Sequence, residues 1–115
     1  MDNEKLFAMP FSALYPLYVR KAEKKGRTRE ELDAVLGWLT GYSAEALASS
    51  GASLRDFFAG APRLNPARAL VTGTVCGVRV ESVEDPLLRE IRVMDKLVDE
   101  LAKGRPLDKI LRKPS

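Results

Sequence analysis

Apolar positions recur every three or four residues along most of this chain, the spacing of helices that bury one face. The pattern predicts a helix from Phe11 to Lys25 and a second from Arg29 to Thr40. Thr28 opens the second helix, because Thr-Arg-Glu-Glu has the capping-box spacing, and Gly41 ends it. We expect Pro16 within or just before the first turn of the first helix, where its missing N–H matters little.

The strongest helical pattern lies near the end of the chain. Asp85 followed by Pro86 is a cap with proline at the first helical position, and the helix is predicted to continue to Lys103. One face of this helix is broad and apolar; it consists of Leu87, Leu88, Ile91, Met94, Leu97, Val98 and Leu101. The opposite face mixes acidic and basic residues, and we expect it to be solvated.

Shorter elements are predicted around these helices. Ser43 and Ser53 each cap a short helical stretch, and a final short helix is predicted from Pro106 to Arg112. The stretch 61–74 is irregular; the valine-rich run 75–80 suggests an extended segment or a short ribbon, although a helix stays open there. The fold class is therefore mainly α: residues 1–115 form a single-domain orthogonal helical bundle of about five or six helices, with a short extended segment near 75–80.

Composition and charge narrow the classes of function. The 115 residues suffice for one hydrophobic core, and the net charge of +3 comes from 19 basic and 16 acidic side chains mixed along the chain. Because the charges are mixed, the signal for polyanion binding is weak. Neither a secretory signal nor a membrane-spanning run is recognisable, so we expect a cytoplasmic protein with no membrane contact.

The chain lacks histidine, and Cys76 is its one cysteine. The usual general base and the usual metal ligand are thus missing. Cys76 is a weak catalytic candidate whose thiolate Arg79 would stabilise, but its valine and glycine neighbours favour a small buried apolar residue. Glu81, Glu84 and Asp85 are explained as charges at a helix entry, and we expect no metal and no cofactor.

The irregular stretch offers a different kind of site. Arginine forks and helix N-termini hold phosphate or carboxylate groups without chemistry. The candidates for binding a small anion are Arg63, Asn65, Arg68 and Arg79. The competing interpretation is that these arginines hold the loop in place by bonding its carbonyl groups.

The helix before Gly41 and the short one after Ser43 suggest a helix-turn-helix. Residues 44–50 contain no arginine, lysine, asparagine or glutamine to read base edges, so specific reading of DNA is not expected. A basic group could still contact a nucleic-acid backbone; it consists of Arg20, Lys21, Lys24, Lys25, Arg27 and Arg29. Cations near a helix C-terminus also complement its dipole, which is the simpler explanation.

The last long helix has a wider apolar face than one neighbouring helix usually covers. We therefore predict a homodimer whose interface is drawn from Leu87, Leu88, Ile91, Met94, Leu97 and Val98. The competing explanation is that the short helices close over this face within one subunit.

Five short runs, beginning at Tyr15, Trp38, Leu64, Val75 and Met94, read YPLY, WLTGY, LNP, VCGVRVE and MDKL. In this order they resemble a small prokaryotic family known as a domain of unknown function, number twenty-two hundred. The resemblance implies a mainly helical single domain with crossed helices and a cytosolic bacterial origin. It supplies no activity, cofactor or catalytic residue.

Three functions stay open. A non-catalytic cytoplasmic interaction module ranks first, a binder of a small anion or a nucleic-acid backbone second, and a histidine-free enzyme using Cys76 third. The sequence therefore leans away from an enzyme. Convergence of Arg63, Arg68 and Arg79 on one cavity would favour the second function over the first.

Overall fold

The computed structural model describes residues 3–113, which contain seven α-helices. They are Glu4–Ala8 (α1), Phe11–Lys24 (α2), Arg29–Thr40 (α3), Ala44–Ser49 (α4), Leu54–Ala59 (α5), Pro86–Ala102 (α6) and Leu107–Ile110 (α7). Between α5 and α6 lie two 3₁₀ turns, Pro66–Leu70 and Val80–Ser82, and an antiparallel ribbon of Thr74–Val75 (β1) and Val78–Arg79 (β2). The mainly helical fold and its short extended segment are confirmed. The helix that the sequence analysis did not predict is α1, which is too short to show a period.

α6 is the central element of the hydrophobic core. It packs against α2, α3, α5 and α7 and against β1. Its inward side chains are almost fully buried; they are Ile91, Met94, Leu97, Val98 and Leu101. From the other side, the rings of Phe11 and Phe57 stack with centroids 4.0 Å apart, so α2 and α5 meet across the core.

The broad apolar face of α6 is thus covered within the chain. Of the side chains predicted to form a dimer interface, Ile91, Met94, Leu97 and Val98 are at most 1% exposed, while Leu87 and Leu88 are half-buried. We correct the prediction for the four buried residues, because the neighbouring helices already pack over them. Dimerisation itself stays a prediction, which light scattering at micromolar concentration tests.

The caps predicted for α3 are confirmed. The Thr28 hydroxyl accepts a hydrogen bond from the Glu31 N–H at 3.1 Å, and the Thr28 N–H donates to the Glu31 carboxylate at 3.0 Å. Gly41 ends the helix with φ +83°, and a Cβ at this position would lie 2.8 Å from the backbone nitrogen of Arg63. Glycine is therefore required for both its conformation and its size.

Pro16 occupies a different place from the predicted one. It is the sixth residue of α2, beyond the first turn, so the carbonyl of Ser12 lacks its usual helical donor. The start of α2 is set by a tertiary contact: the Phe11 N–H donates to the Ala52 carbonyl and the Leu54 N–H to the Met9 carbonyl, both at 2.8 Å. Local sequence could not reveal that pairing.

The charged face of α6 was predicted to be solvated, and this is wrong. Glu100 is buried, and most of the other charged side chains of α6 are half-buried. Neighbouring segments cover this face: the Tyr18 hydroxyl donates to Asp95 at 2.5 Å, and the Lys96 ammonium donates to the Thr74 carbonyl at 3.3 Å.

Within residues 3–113, no helix is both long and apolar enough to cross a membrane.

Candidate functional site

The structure places the predicted anion-binding residues in different surroundings. Arg63 and Asn65 line one cavity of about 240 Å³ beside Trp38. Arg68 lines two other cavities, and Arg79 is exposed on β2. The structure therefore brings together Arg63 and Asn65, but Arg63, Arg68 and Arg79 do not converge on any of these cavities. The criterion set from the sequence thus does not favour anion binding by these three arginines.

Asn65 and Arg68 both stabilise the loop between α5 and the ribbon. The Asn65 side chain accepts from the Ala67 N–H at 2.9 Å and opens the turn Pro66–Leu70. The Arg68 guanidinium donates to the Asn65 carbonyl at 2.9 Å. Arg68 therefore bonds the loop backbone, as the competing interpretation expects, but this is only one of its contacts.

Arg68 also faces a larger cleft between α5, this loop and the start of α6. We call it the arginine cleft; its volume is about 480 Å³, and its charged and large apolar residues are Arg55, Phe58, Leu64, Arg68, Glu84, Leu87, Arg89 and Glu90. This volume is typical of sites for small molecules. Three guanidinium groups thus surround an apolar floor.

An ion pair forms part of the cleft wall. Arg68 Nε donates to both carboxylate oxygens of Glu90, at 3.0 and 2.8 Å. The same two residues also line an adjoining cavity of about 330 Å³ with Val93. Both side chains are mostly buried, so the pair holds the wall in a defined position.

Arg55 is positioned by α1. Its Nη2 lies 3.2 Å from each carboxylate oxygen of Glu4, and its guanidinium carbon lies 5.2 Å from the centroid of the Phe7 ring. The side chains of Arg55 and Glu4 are 53% and 70% exposed. Because such exposed pairs contribute little free energy, a ligand anion can compete with Glu4 for Arg55.

Arg89 is the cation of the cleft with the fewest partners. Its backbone N–H donates to the Asp85 carbonyl, but its guanidinium makes no hydrogen bond to any other residue in 3–113. It lies in the first turns of the 17-residue helix α6, whose N-terminus carries the positive end of the helix dipole. Arg89 is therefore free to bond an incoming anion.

The sequence analysis missed Arg55 and Arg89. It assigned Arg89 to a solvated face, and it had no reason to connect Arg55 with residues more than thirty positions away. The one local signal was the Asp85-Pro86 cap, which places Arg89 near a helix N-terminus.

Cys76 is exposed, and the prediction of a buried apolar residue is wrong. It forms the turn between β1 and β2 together with Gly77, and both have positive φ, +50° and +75°. Tight hairpins require this backbone conformation, which directs turn residues outward. The run of valines flanking the turn had suggested burial.

Cys76 influences a titratable network that centres on Tyr18. Burial first, and then the charge of Asp95, raise the pKa of the Tyr18 hydroxyl well above its ordinary value, and Cys76 adds to this shift. The hydroxyl therefore stays protonated and donates to Asp95, which also accepts from Arg92 at 3.1 Å. This network connects α2 to α6, and the tyrosine is not a base for the thiol.

Within residues 3–113, no cluster of three or more Cys, Asp or Glu side chains is suited to hold a metal ion.

Comparison with known proteins places this geometry in a family. A family model described as "Uncharacterized protein conserved in bacteria (DUF2200)" matches residues 5–112. The chain belongs to this family. It is also similar to the protein in "Crystal structure of uncharacterized protein SP1917", with 43% sequence identity and a TM-score of 0.86 over 96% of this chain and 93% of that chain. No curated protein matches it. The family resemblance seen in the sequence is confirmed, and these comparisons assign no activity.

Proposed function

We propose that this protein binds a small anionic metabolite with an apolar part in the arginine cleft. The observation that carries the proposal is the state of Arg89: Arg55 and Arg68 have carboxylate partners in Glu4 and Glu90, whereas the Arg89 side chain makes no hydrogen bond within the described part of the chain. Glu90 is already neutralised by Arg68. We further propose that the protein acts in the bacterial cytoplasm, where phosphorylated and carboxylated metabolites are abundant.

Each part of the cleft has a role in this proposal. Arg89 and Arg55 bond the phosphate or carboxylate, because the guanidinium fork matches two oxygens at once. Phe58, Leu64 and Leu87 contact the hydrocarbon portion of the ligand and exclude water from it. Binding requires no chemical step, which agrees with a chain that has no histidine.

An interaction module ranked first from the sequence because the apolar face of α6 is wider than one neighbouring helix usually covers. The burial of Ile91, Met94, Leu97 and Val98 removes most of that argument. The arginine cleft then supports ligand binding better than the α6 face supports a partner.

The test is a titration with phenyl phosphate, inorganic phosphate and benzyl alcohol, followed by amide NMR shifts. We expect phenyl phosphate to bind most tightly, because it alone combines the charge with an apolar ring. Shifts should concentrate at residues 54–59 and 86–90.

Two matched arginine variants make the titration decisive. Arg89→Met should weaken phenyl phosphate binding by about tenfold or more, the effect of losing one charged contact. Arg79→Met removes an exposed arginine on β2 and should leave the affinity unchanged. Equal affinities for the two variants, or tighter binding of benzyl alcohol than of phenyl phosphate, would refute an anion site here.

A further inference from the structure

A second cavity lies between α2 and α4, and the proposed ligand site does not include it. Its volume is about 550 Å³, and its lining residues are Tyr15, Pro16, Val19, Arg20, Arg29 and Ala48. Apolar groups from four of these residues form the walls, and two arginines contribute the charge. We call it the α2–α4 groove.

Arg29 is held firmly in this groove although its side chain is 49% exposed. Its Nε donates to the Tyr15 hydroxyl at 3.0 Å, and its guanidinium carbon lies 5.5 Å from the centroid of the same ring. The Tyr15 hydroxyl in turn donates to Asp33 at 2.5 Å. The charge of Arg29 is thus oriented before any partner arrives.

The surface around the groove is of mixed charge and partly apolar. Arg20 is exposed, and within residues 3–113 its side chain makes no hydrogen bond or ion pair. Lys24 follows one helical turn later, and Leu17 on the same helix is 51% exposed. The acidic residues of these helices that oppose these charges are Glu23, Glu30, Asp33 and Glu45, against the basic residues Arg20, Lys24, Lys25 and Arg29, and Asp33 Oδ2 lies 3.9 Å from Arg29 Nε.

We propose that the α2–α4 groove docks an acidic segment of another protein, which inserts one apolar side chain between Arg20 and Arg29. The charged lining residues are Arg20 and Arg29, with no carboxylate among the described residues that line the groove, so the lining is complementary to a carboxylate; the cavity is also large enough for a leucine or phenylalanine side chain. Arg20 and Arg29 would bond the phosphates of a nucleic acid as well, but its polar backbone leaves the apolar walls uncovered, whereas a leucine or phenylalanine side chain fills them. The Tyr15 ring already has Arg29 against it rather than an open face for a base.

The experiment uses the full chain and three fluorescent peptides of equal length. The first has two leucines flanked by glutamates, the second replaces the glutamates with lysines, and the third replaces the leucines with serines. We expect the first peptide to bind at least about tenfold more tightly than either of the others, and its binding to weaken as salt is raised.

Two variants test the groove by independent routes. Arg20→Glu reverses a charge that makes no hydrogen bond or ion pair within residues 3–113, and it should weaken binding of the first peptide by about tenfold. Ala48→Trp fills the cavity without changing the charge, and it should abolish insertion of the leucine. Lys109→Glu on α7 and Ala59→Trp at the arginine cleft are the matched controls, and neither should change peptide affinity. Circular dichroism of each variant verifies the fold.

The outcomes separate this proposal from the ligand site. Loss of peptide binding in Arg20→Glu and Ala48→Trp, with phenyl phosphate binding retained, supports it. Three results would overturn it: no peptide binding at millimolar concentration, equal binding of the lysine peptide, or displacement of the peptide by a single-stranded oligonucleotide that binds more tightly. The last result would assign the groove to nucleic acid.

Discussion

The two ends of α6 carry the same types of charged residue and use them differently. At the N-terminal end, Arg55 and Arg68 pair with Glu4 and Glu90, and the Arg89 side chain makes no hydrogen bond within residues 3–113. At the C-terminal end, the buried carboxylate of Glu100 accepts hydrogen bonds from Arg105 and Arg112, and Lys96 lies 3.9 Å away. The first end retains an unsatisfied cation, whereas the second uses its arginines within the fold.

At the C-terminal end of α6, backbone carbonyl groups also have hydrogen-bond partners. Arg27 donates to the carbonyls of Leu101 and Arg105 at 3.1 and 2.8 Å. Its Nη2 also forms an ion pair with Glu31 Oε2 at 2.7 Å. The last carbonyls of a helix otherwise lack donors, so this arginine acts as a cap from another element. The balance between guanidinium groups and their acceptors therefore distinguishes a structural cluster from a binding site.

The sharpest test of this contrast is Glu100→Ala. The substitution leaves mostly buried cations without their carboxylate, and we expect it to lower the free energy of unfolding by about 3 kcal/mol. Urea denaturation measures the loss. Glu84→Ala, an exposed glutamate of the cleft, is the control and should change stability by less than about 0.5 kcal/mol.

The equivalent change at the other end is Glu90→Ala. It removes the partner of Arg68, but both side chains retain some contact with water, so we expect a smaller loss of about 1 kcal/mol. The freed Arg68 should also bind phenyl phosphate more tightly than in the unaltered protein. A loss as large as that of Glu100→Ala would mean that both ends are equally structural.

The C-terminal end should also respond to acid. Hydrogen bonds from Arg27 first, and then from the Thr28 backbone, lower the pKa of Glu31 from 4.5 to about 2. Because the pKa of Glu31 is lower in the folded state than in the unfolded state, its ionised carboxylate stabilises the fold above about pH 4.5. This contribution is lost as Glu31 is protonated, so the free energy of unfolding should decline as the pH falls from about 4.5 to about 2. Glu31→Gln should flatten this decline when urea denaturation is repeated across the range, whereas Glu30→Gln, its exposed neighbour, should not.

The smallest expected effect is that of Arg89→Met on stability. Its guanidinium has no hydrogen-bonding partner within residues 3–113, so the free energy of unfolding should change by less than about 0.5 kcal/mol. Arg112→Met, at the satisfied end, is the comparison and should be clearly destabilising because it leaves Glu100 under-bonded. A thermal scan of both proteins suffices, and a large loss for Arg89→Met would place it among the structural arginines.

Much of the fold could be predicted because its signals are local. Thr28, Gly41, Asp85 and the serines at 43 and 53 cap or end helices through contacts within a few residues, and each was identified from sequence. The misplaced Pro16 had a different cause. The helix begins at Phe11 as predicted, but Pro16 is its sixth residue, so the rule that places proline in the first turn was overridden within α2.

The sequence by itself determined the helical class, the main caps and the family, because these depend on periodicity and on motifs of a few residues. Tertiary structure decided which charges are free. Arg27 and Arg112 look like solvated cations in the sequence, yet they bond groups at the end of α6; Arg89 looks the same and has no such partner. A guanidinium group is satisfied or available according to which distant carbonyl or carboxylate the fold brings within hydrogen-bond distance, and the spacing of residues along the chain does not contain that information.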